Sequence, residues 1–456
     1  MQTTLTLRSE IEKGIAELGM NFSSFGELSG INRGIFSAIL NGSPPKPISL
    51  NQMEAITRAF GKEPGWMFNL YIEECFYDGK PNRRRVEPFL IRCAELGRTD
   101  CIREVLSRLL EDLKHVSMIF EIAEVLFTSG KVQESLVFYE CVVENEKYNH
   151  AERLAISHYR IFRAALGEDN EQNLRAAMRF EPFCGKLPDH HRLDALLKLA
   201  NVYILLERWA EADIYSEELL NFVQAVYEIE KKRLHKEKSH SPLPTEKPFI
   251  FYYGQGFILK EAVLEHQGRY EEARKCIEGY EDLRNFEILD QKSLKEIEKF
   301  NLYAKANKIN LEILSGNASV LEEYAKLLEV HTAERLPGLL TIFQSANKYR
   351  FNIDAIIQKF DTFLKEEILE STHYNKNSDL NRFARIFFEL ANYYLYKKEY
   401  SRGIEYSLQC LRVTVKINNT NMFMKCVPLF EEFRSMTTQQ QRTAYEKIIR
   451  SVYQNV

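Results

Sequence analysis

Three asparagines, Asn201, Asn310 and Asn392, each stand six residues before a turn. A side-chain amide offers a donor and an acceptor together, so a row of them can grip the backbone amides of an extended peptide from the side. Arg385 lies seven residues before Asn392, two helical turns along the same face, and can pair with a carboxylate. Arg160 and Arg163 are further candidates for that role. A second polar set, Asn32, Arg33, Ser37 and Asn41, has the spacing of one outward helix face. Arginine and asparagine each form paired hydrogen bonds to a base edge, arginine to guanine and asparagine to adenine. All of this is chemistry of recognition. The chain has no GxSxG, P-loop, HExxH or paired metal signature. Asp189-His190-His191 is no metal site, because adjacent histidines leave a helix on different faces. The expectation is a protein that is not an enzyme and carries neither cofactor nor metal.

The elements that position the second set occupy residues 7 to 76. Leu7, Ile11, Ile15 and Leu18 make one helical stripe. Asn21 offers a cap to a short helix reaching Leu28, and Gly30 supplies a sharp bend. A helix from Asn32 to about Leu40 is closed by Asn41-Gly42. Ser49 caps a fourth helix holding Met53, Ile56 and Phe60, and a fifth is expected to start near Glu63-Pro64. The string FSSFGELSGINRGIFSAILNG, followed by ISLNQMEAITRAFG, resembles the helix-turn-helix domain of phage-repressor type. Phe25 and Gly26 stand for its large and small residues, Gly30 for its turn, Ile31 with Ile35 or Phe36 for its core, and Gly42 for its stop. The resemblance implies that Asn32, Arg33, Ser37 and Asn41 face DNA, with Ser23 and Ser24 positioning a phosphate at a helix N-terminus. Residues 1–76 hold six basic and eight acidic side chains, so phosphate attraction is local and two heads on one duplex are expected.

From about residue 82 the chain reads as helix after helix. Four segments align at their turns, Gly130, Glu207, Gly268 and Lys398. Two residues later comes Val132, Trp209, Tyr270 or Tyr400; five later comes a small residue, Ser135, Ala212, Ala273 or Gly403. A bulky residue fills the gap between helix pairs, and a small one lets the second helix lie close. Gly97 and Gly316 are weaker members. The pattern resembles tetratricopeptide repeats, of which this length accommodates roughly eight or nine. In such repeats the slot of Asn201, Asn310 and Asn392 faces a concave groove; Ala262 and Glu124 are the exceptions in the same slot. Tyr203, Tyr303 and Tyr394 read as packing between helices, and Glu228 to Lys247 as a helix end with an exposed loop.

Composition agrees with helices on short loops: 456 residues, 45% apolar, 28% charged, only 20 glycines and 13 prolines. No uncharged apolar run reaches the length of a membrane span. A net charge of −4 excludes bulk polyanion binding though not a small basic face. Eight cysteines sit singly, which suits reduced thiols, and MQTTLTLRSEIEKG lacks a secretory pattern. A cytoplasmic location is expected.

The combination resembles the RRNPP family of peptide-pheromone receptors, with the arbitrium-receptor branch as the nearest likeness. It rests on the head, on GKPNRRRVEPFLIRCAEL leading into the repeats, and on LANVYILLERW. It implies an all-α chain: a helix-turn-helix domain over 1–76, then a right-handed superhelical tetratricopeptide-repeat array over 77–456. It also implies a homodimer that binds promoter DNA and a short signalling peptide, away from any membrane. A repeat protein that binds no DNA and acts on a partner, as a response-regulator phosphatase or a scaffold, is the alternative.

Overall fold

Apolar residues recurring every three or four positions make helices, and helices make up most of the described residues. The computed structural model describes residues 6–77, 79–147, 152–236, 243–289, 292–365 and 377–454. Among these are 24 α-helices and one minimal hairpin, Phe76–Tyr77 (β1) against Lys80–Pro81 (β2). None of the helices is long and apolar enough to cross a membrane. The chain forms two compact units, Met1–Ala164 and Ala165–Val456.

Unit 1 opens with α1 (Leu7–Glu17), α2 (Phe22–Ser29), α3 (Arg33–Leu40), α4 (Leu50–Ala59) and the single turn α5 (Phe68–Tyr71). The stripe Leu7, Ile11 and Ile15 is buried, and Leu18 lies outside it, 46% exposed. Asn21 Oδ1 accepts the amides of Ser23 (2.9 Å) and Ser24 (3.0 Å), fixing the start of α2. Ser49 caps α4 in the same manner. The fifth helix begins later than Glu63-Pro64. Gly65 (φ 84°) and Met67 (φ 64°) are left-handed, so residues 63–67 form turns and a right-handed helix cannot start before Phe68. Then follow α6 (Arg83–Glu95), α7 (Thr99–Leu109), α8 (Val116–Thr128), α9 (Val132–Asn145) and α10 (Glu152–Ala165). The head does not close its core alone. Phe68 and Tyr71 each pack on Phe89 of α6 at 5.1 Å, and one apolar cluster runs from Leu7 to Val142.

Unit 2 holds α11 (Asn170–Cys184), α12 (Asp189–Leu205), α13 (Trp209–Lys236), α14 (Phe249–His266) and α15 (Tyr270–Glu278). It continues through α16 (Ser293–Leu314), α17 (Leu321–Val330), α18 (Arg335–Tyr349), α19 (Asp354–Lys359) and α20 (Asp361–Lys365). The last four helices are α21 (Asn377–Tyr396), α22 (Tyr400–Lys416), α23 (Thr420–Glu432) and α24 (Gln439–Gln454). Within Glu228–Lys247, the part to Lys236 is helix with Glu230 buried, and 237–242 lie outside the described residues.

The aligned turns share one backbone state. Gly130, Glu207, Gly268 and Lys398 have φ of 85°, 56°, 72° and 62°, and the bulky residue two positions later opens the next helix. Ser135, Ala212 and Ala273 are fully buried, and a Cβ on Gly403 would stand 2.6 Å from Leu395 Cγ. Small side chains there let paired helices touch. Gly97 and Gly316 are left-handed as well, and so are Arg350 and Asn418, whose turns the sequence pattern does not mark.

Unit 2 also closes on itself. Asn170, which opens α11, donates its backbone N–H to Ile417 O (2.9 Å) and its amide to Asn381 Oδ1 (2.9 Å). Asn377 donates to Asn170 Oδ1 (2.8 Å) and Asn419 to Asn381 Oδ1 (2.8 Å). Beside this ladder, Glu207 in the α12–α13 turn pairs with Arg385 of α21 (3.2 Å) and Lys425 of α23 (2.6 Å).

Candidate functional site

In unit 1, α3 is held from beneath. Phe25 of α2 stacks edge-on against Phe36 of α3 at 5.4 Å. Gly26 brings the turn in so closely that a Cβ would lie 2.6 Å from Ile31 O, and Gly30 (φ 70°) makes the bend. Arg8 fixes the other end: it donates to Ile39 O (3.0 Å) and Lys46 O (3.2 Å) and pairs with Glu74 (2.7 Å), whose other oxygen accepts the Ile48 amide (2.9 Å). Phe36, Ile39 and Leu40 are thereby buried, and Arg33, Ser37 and Asn41 emerge as an exposed stripe at intervals of four.

The remaining head candidates already have local tasks. Asn32 is exposed, but its Oδ1 caps α3 by accepting the Gly34 amide (2.7 Å). Ser24 Oγ accepts the Asn21 amide (3.0 Å), and Asn21 occupies the backbone amides of Ser23 and Ser24. A phosphate at this helix start would have to displace Asn21 or use the exposed Ser23 hydroxyl. Of the basic run after the head, Arg83 pairs with Glu87 and Glu121, and Arg85 donates to Glu74 O (3.0 Å).

Arg160 and Arg163 also belong to unit 1. Arg160 is 4% exposed, bonds both oxygens of Glu124 (3.0 and 3.1 Å), and lies 4.1 Å over Phe127. Arg163 leans on Phe127 and Tyr159. Glu124, an exception to asparagine in the repeat slot, thus serves as the counter-ion of a buried arginine.

In unit 2 the first helices of successive pairs, α12, α14, α16, α18 and α21, together with Trp209 at the start of α13, line a cavity of about 440 Å³. That is the size of small-ligand sites. Asn310 and Arg385 both line it. Asn201 and Asn392 do not. Each donates its amide back to its own helix, Asn201 to Leu197 O and Asn392 to Phe388 O, both 2.8 Å. Asn392 borders a separate hollow with Asn347, Arg350 and Glu389. The three asparagines share a slot without sharing a site.

The cavity's polar wall comes from residues that the turn alignment does not mark. Glu261 and Glu265, one turn apart on α14, face it with Asn307 and Ser345. Glu261 Oε2 accepts from Tyr280 (2.7 Å) and Asn307 (3.2 Å). Four buried side-chain polar atoms lack a hydrogen-bond partner among the described residues, and three are here: Glu261 Oε1, Asn310 Oδ1 and Ser345 Oγ. Such an atom costs about 1–3 kcal/mol when left unpaired, so their gathering marks a place suited to an external partner. Burial pushes both carboxyls up, Glu265 to about 8, and Glu265 adds to the rise at Glu261. On the basic side, burial pulls Arg382 down despite Asp379 at 3.5 Å, and Arg385 is engaged by Glu207. Trp209 stacks flat on His266 at 3.9 Å at the rim. No group of three or more His, Cys, Asp or Glu among the described residues is placed to hold a metal ion.

No family model matches the chain, and no curated protein matches it. Among solved structures it is similar to a circular tandem repeat protein with novel repeat topology and enhanced subunit contact surfaces. The identity is 12% over 97% of this chain and 95% of that chain, with a TM-score of 0.19. Superposition at that level transfers neither fold nor function.

Proposed function

We propose that the chain is a peptide-responsive DNA-binding regulator of the RRNPP type, working in the cytoplasm as a homodimer. In this reading α2 and α3 are a helix-turn-helix, with Arg33, Ser37 and Asn41 directed at base edges. The paired helices of the repeats are tetratricopeptide units in a right-handed superhelix. Their inner helices hold a short signalling peptide in the unit 2 cavity. The observation that carries the reading is that cavity, lined mainly by the first helices of pairs and collecting three unpartnered buried polar atoms in a chain whose α3 presents a polar stripe.

Peptide that contacts α14, α16, α18 and α21 together favours one curvature of the repeats. Dimer packing turns curvature into the spacing of two recognition helices, and a duplex repeats its face every 34 Å or so, about one helical turn. A switch requires that the two conformations bind peptide with different affinity. Arg385 takes part by exchanging Glu207 for a peptide carboxylate.

The test is binding of the purified chain to DNA upstream of its own gene, with and without synthetic peptides from neighbouring short reading frames. A gel shift altered by one peptide establishes the reading. Absence of any shift favours the second one, a repeat protein acting on a partner protein. That reading draws on the head's six basic against eight acidic residues and on the amides that Asn21 occupies.

A further inference from the structure

The unpartnered buried atoms on the cavity's lining residues have one character. Glu261 Oε1 is a carboxyl oxygen, Asn310 Oδ1 an amide carbonyl and Ser345 Oγ a hydroxyl, and each can accept a hydrogen bond. Their residues are 1%, 7% and 1% exposed. They come from three helices, α14, α16 and α18, whose residues line the one cavity. The donors already on Glu261, Tyr280 and Asn307, are neutral and both fall on the other oxygen. Glu265 adds a second carboxyl one turn along, and the cavity's arginines face other acids, Arg385 Glu207 and Arg382 Asp379.

We propose that the cavity receives its ligand by an ammonium group seated on Glu261, Asn310 and Ser345. The proposal deepens the peptide reading above and rests on it for the identity of the ligand. The ammonium is the amino terminus or a lysine side chain of a peptide, or belongs to a free amine. An ammonium is a compact centre with three N–H donors, which suits three acceptors on three helices better than the flat fork of a guanidinium does. Charge-assisted hydrogen bonds in a desolvated site are the strong ones. A cation here also restores the charge that burial disfavours on the two carboxyls.

The experiment uses the full chain and randomised pentapeptides in two forms, with a free or an acetylated amino terminus. Retained peptides are identified by mass spectrometry after size exclusion. Millimolar butylammonium is tested alongside by thermal shift. Free-terminus peptides, and acetylated ones containing lysine, are expected to be enriched. Glu261→Gln, which keeps the side-chain shape, and Ser345→Ala are each expected to lower retention about tenfold or more, the worth of one charged hydrogen bond. Equal retention of acetylated, lysine-free peptides, unchanged by Glu261→Gln, overturns the ammonium seat and leaves the peptide reading standing. Stabilisation by butylammonium that Glu261→Gln abolishes, with no peptide retained, supports the seat for a free amine and overturns the peptide reading. Neither retention nor stabilisation overturns both.

Discussion

Replacing Glu207 by glutamine tests whether the contact across unit 2 is energetically real. Glu207 stands in a left-handed turn, and glutamine keeps both the shape and the backbone cost (φ 56°). What changes is the charge facing Arg385 (3.2 Å) and Lys425 (2.6 Å). A hydrogen bond to a charged group contributes about 1.5–3 kcal/mol. Glu207 is 14% exposed, but its partners are 25% and 44% exposed, and solvent screening reduces each bond. A loss of about 2 kcal/mol follows, which for a unit of this size lowers Tm by about 3 °C. Burial pushes the Glu207 carboxyl up, and Arg385 and Lys425 outweigh it, so the net shift is downward. The contribution is therefore full above the unfolded carboxylate pKa and fades as pH falls through the lower folded value. The assay is thermal melting at pH 7 and pH 3 in low salt, with a double-mutant cycle against Arg385→Gln. A coupling below about 0.3 kcal/mol at pH 7 would refute the argument, since that is what independent sites show.

Three other outcomes are expected. Glu265→Gln stabilises unit 2 at pH 8 more than at pH 5, because a carboxyl pushed up to about 8 loses folded-state stability as pH rises from about 4.5 to that value; melting curves across pH check it. Glu261 on α14, Tyr280 after α15 and Tyr324 on α17 interact with this carboxyl, and His266, Lys348, Arg382 and Arg385 line the same cavity, yet burial alone sets its shift. Gly26→Ala costs about 1–3 kcal/mol, because the new methyl meets a backbone carbonyl rather than a pliable side chain, and DNA binding falls with it; denaturation and gel shift read the two effects. Arg160→Ala destabilises unit 1 by about 3 kcal/mol by removing the counter-ion of Glu124, with peptide affinity unchanged; loss of affinity without loss of stability would restore Arg160 as a ligand contact.

Local signals were legible in the sequence where the backbone imposes them. Each aligned turn takes a left-handed residue, and a small residue five positions on is buried in the helix contact, so glycine and alanine left a readable trace. Glu207 and Lys398 take that conformation without being glycine, and only the alignment reveals them. The outward stripe of α3 was legible from helical spacing. The cavity was not. Glu261 and Glu265 follow the long apolar run at the start of α14, where no motif announces a polar wall. Asn201 and Asn392 show the limit of slot counting: the residue type matches, but each amide satisfies a carbonyl one turn back. Arg350 and Asn418 turn without any of the expected neighbours.

The asparagine ladder has a consequence for how unit 2 folds. An open solenoid adds stability repeat by repeat and tolerates shortening at its ends. Asn170 and Asn381 are 211 positions apart, and their amides meet at 2.9 Å. Joining ends so distant costs about 5 kcal/mol of loop-closure entropy beyond a constant, and contacts of such high order form late. Once made, they tie the intervening helices into one cooperative block. Removing the chain from α21 onward would then loosen α11 at the far end of the sequence, and the intact unit would melt in a single transition instead of fraying inward.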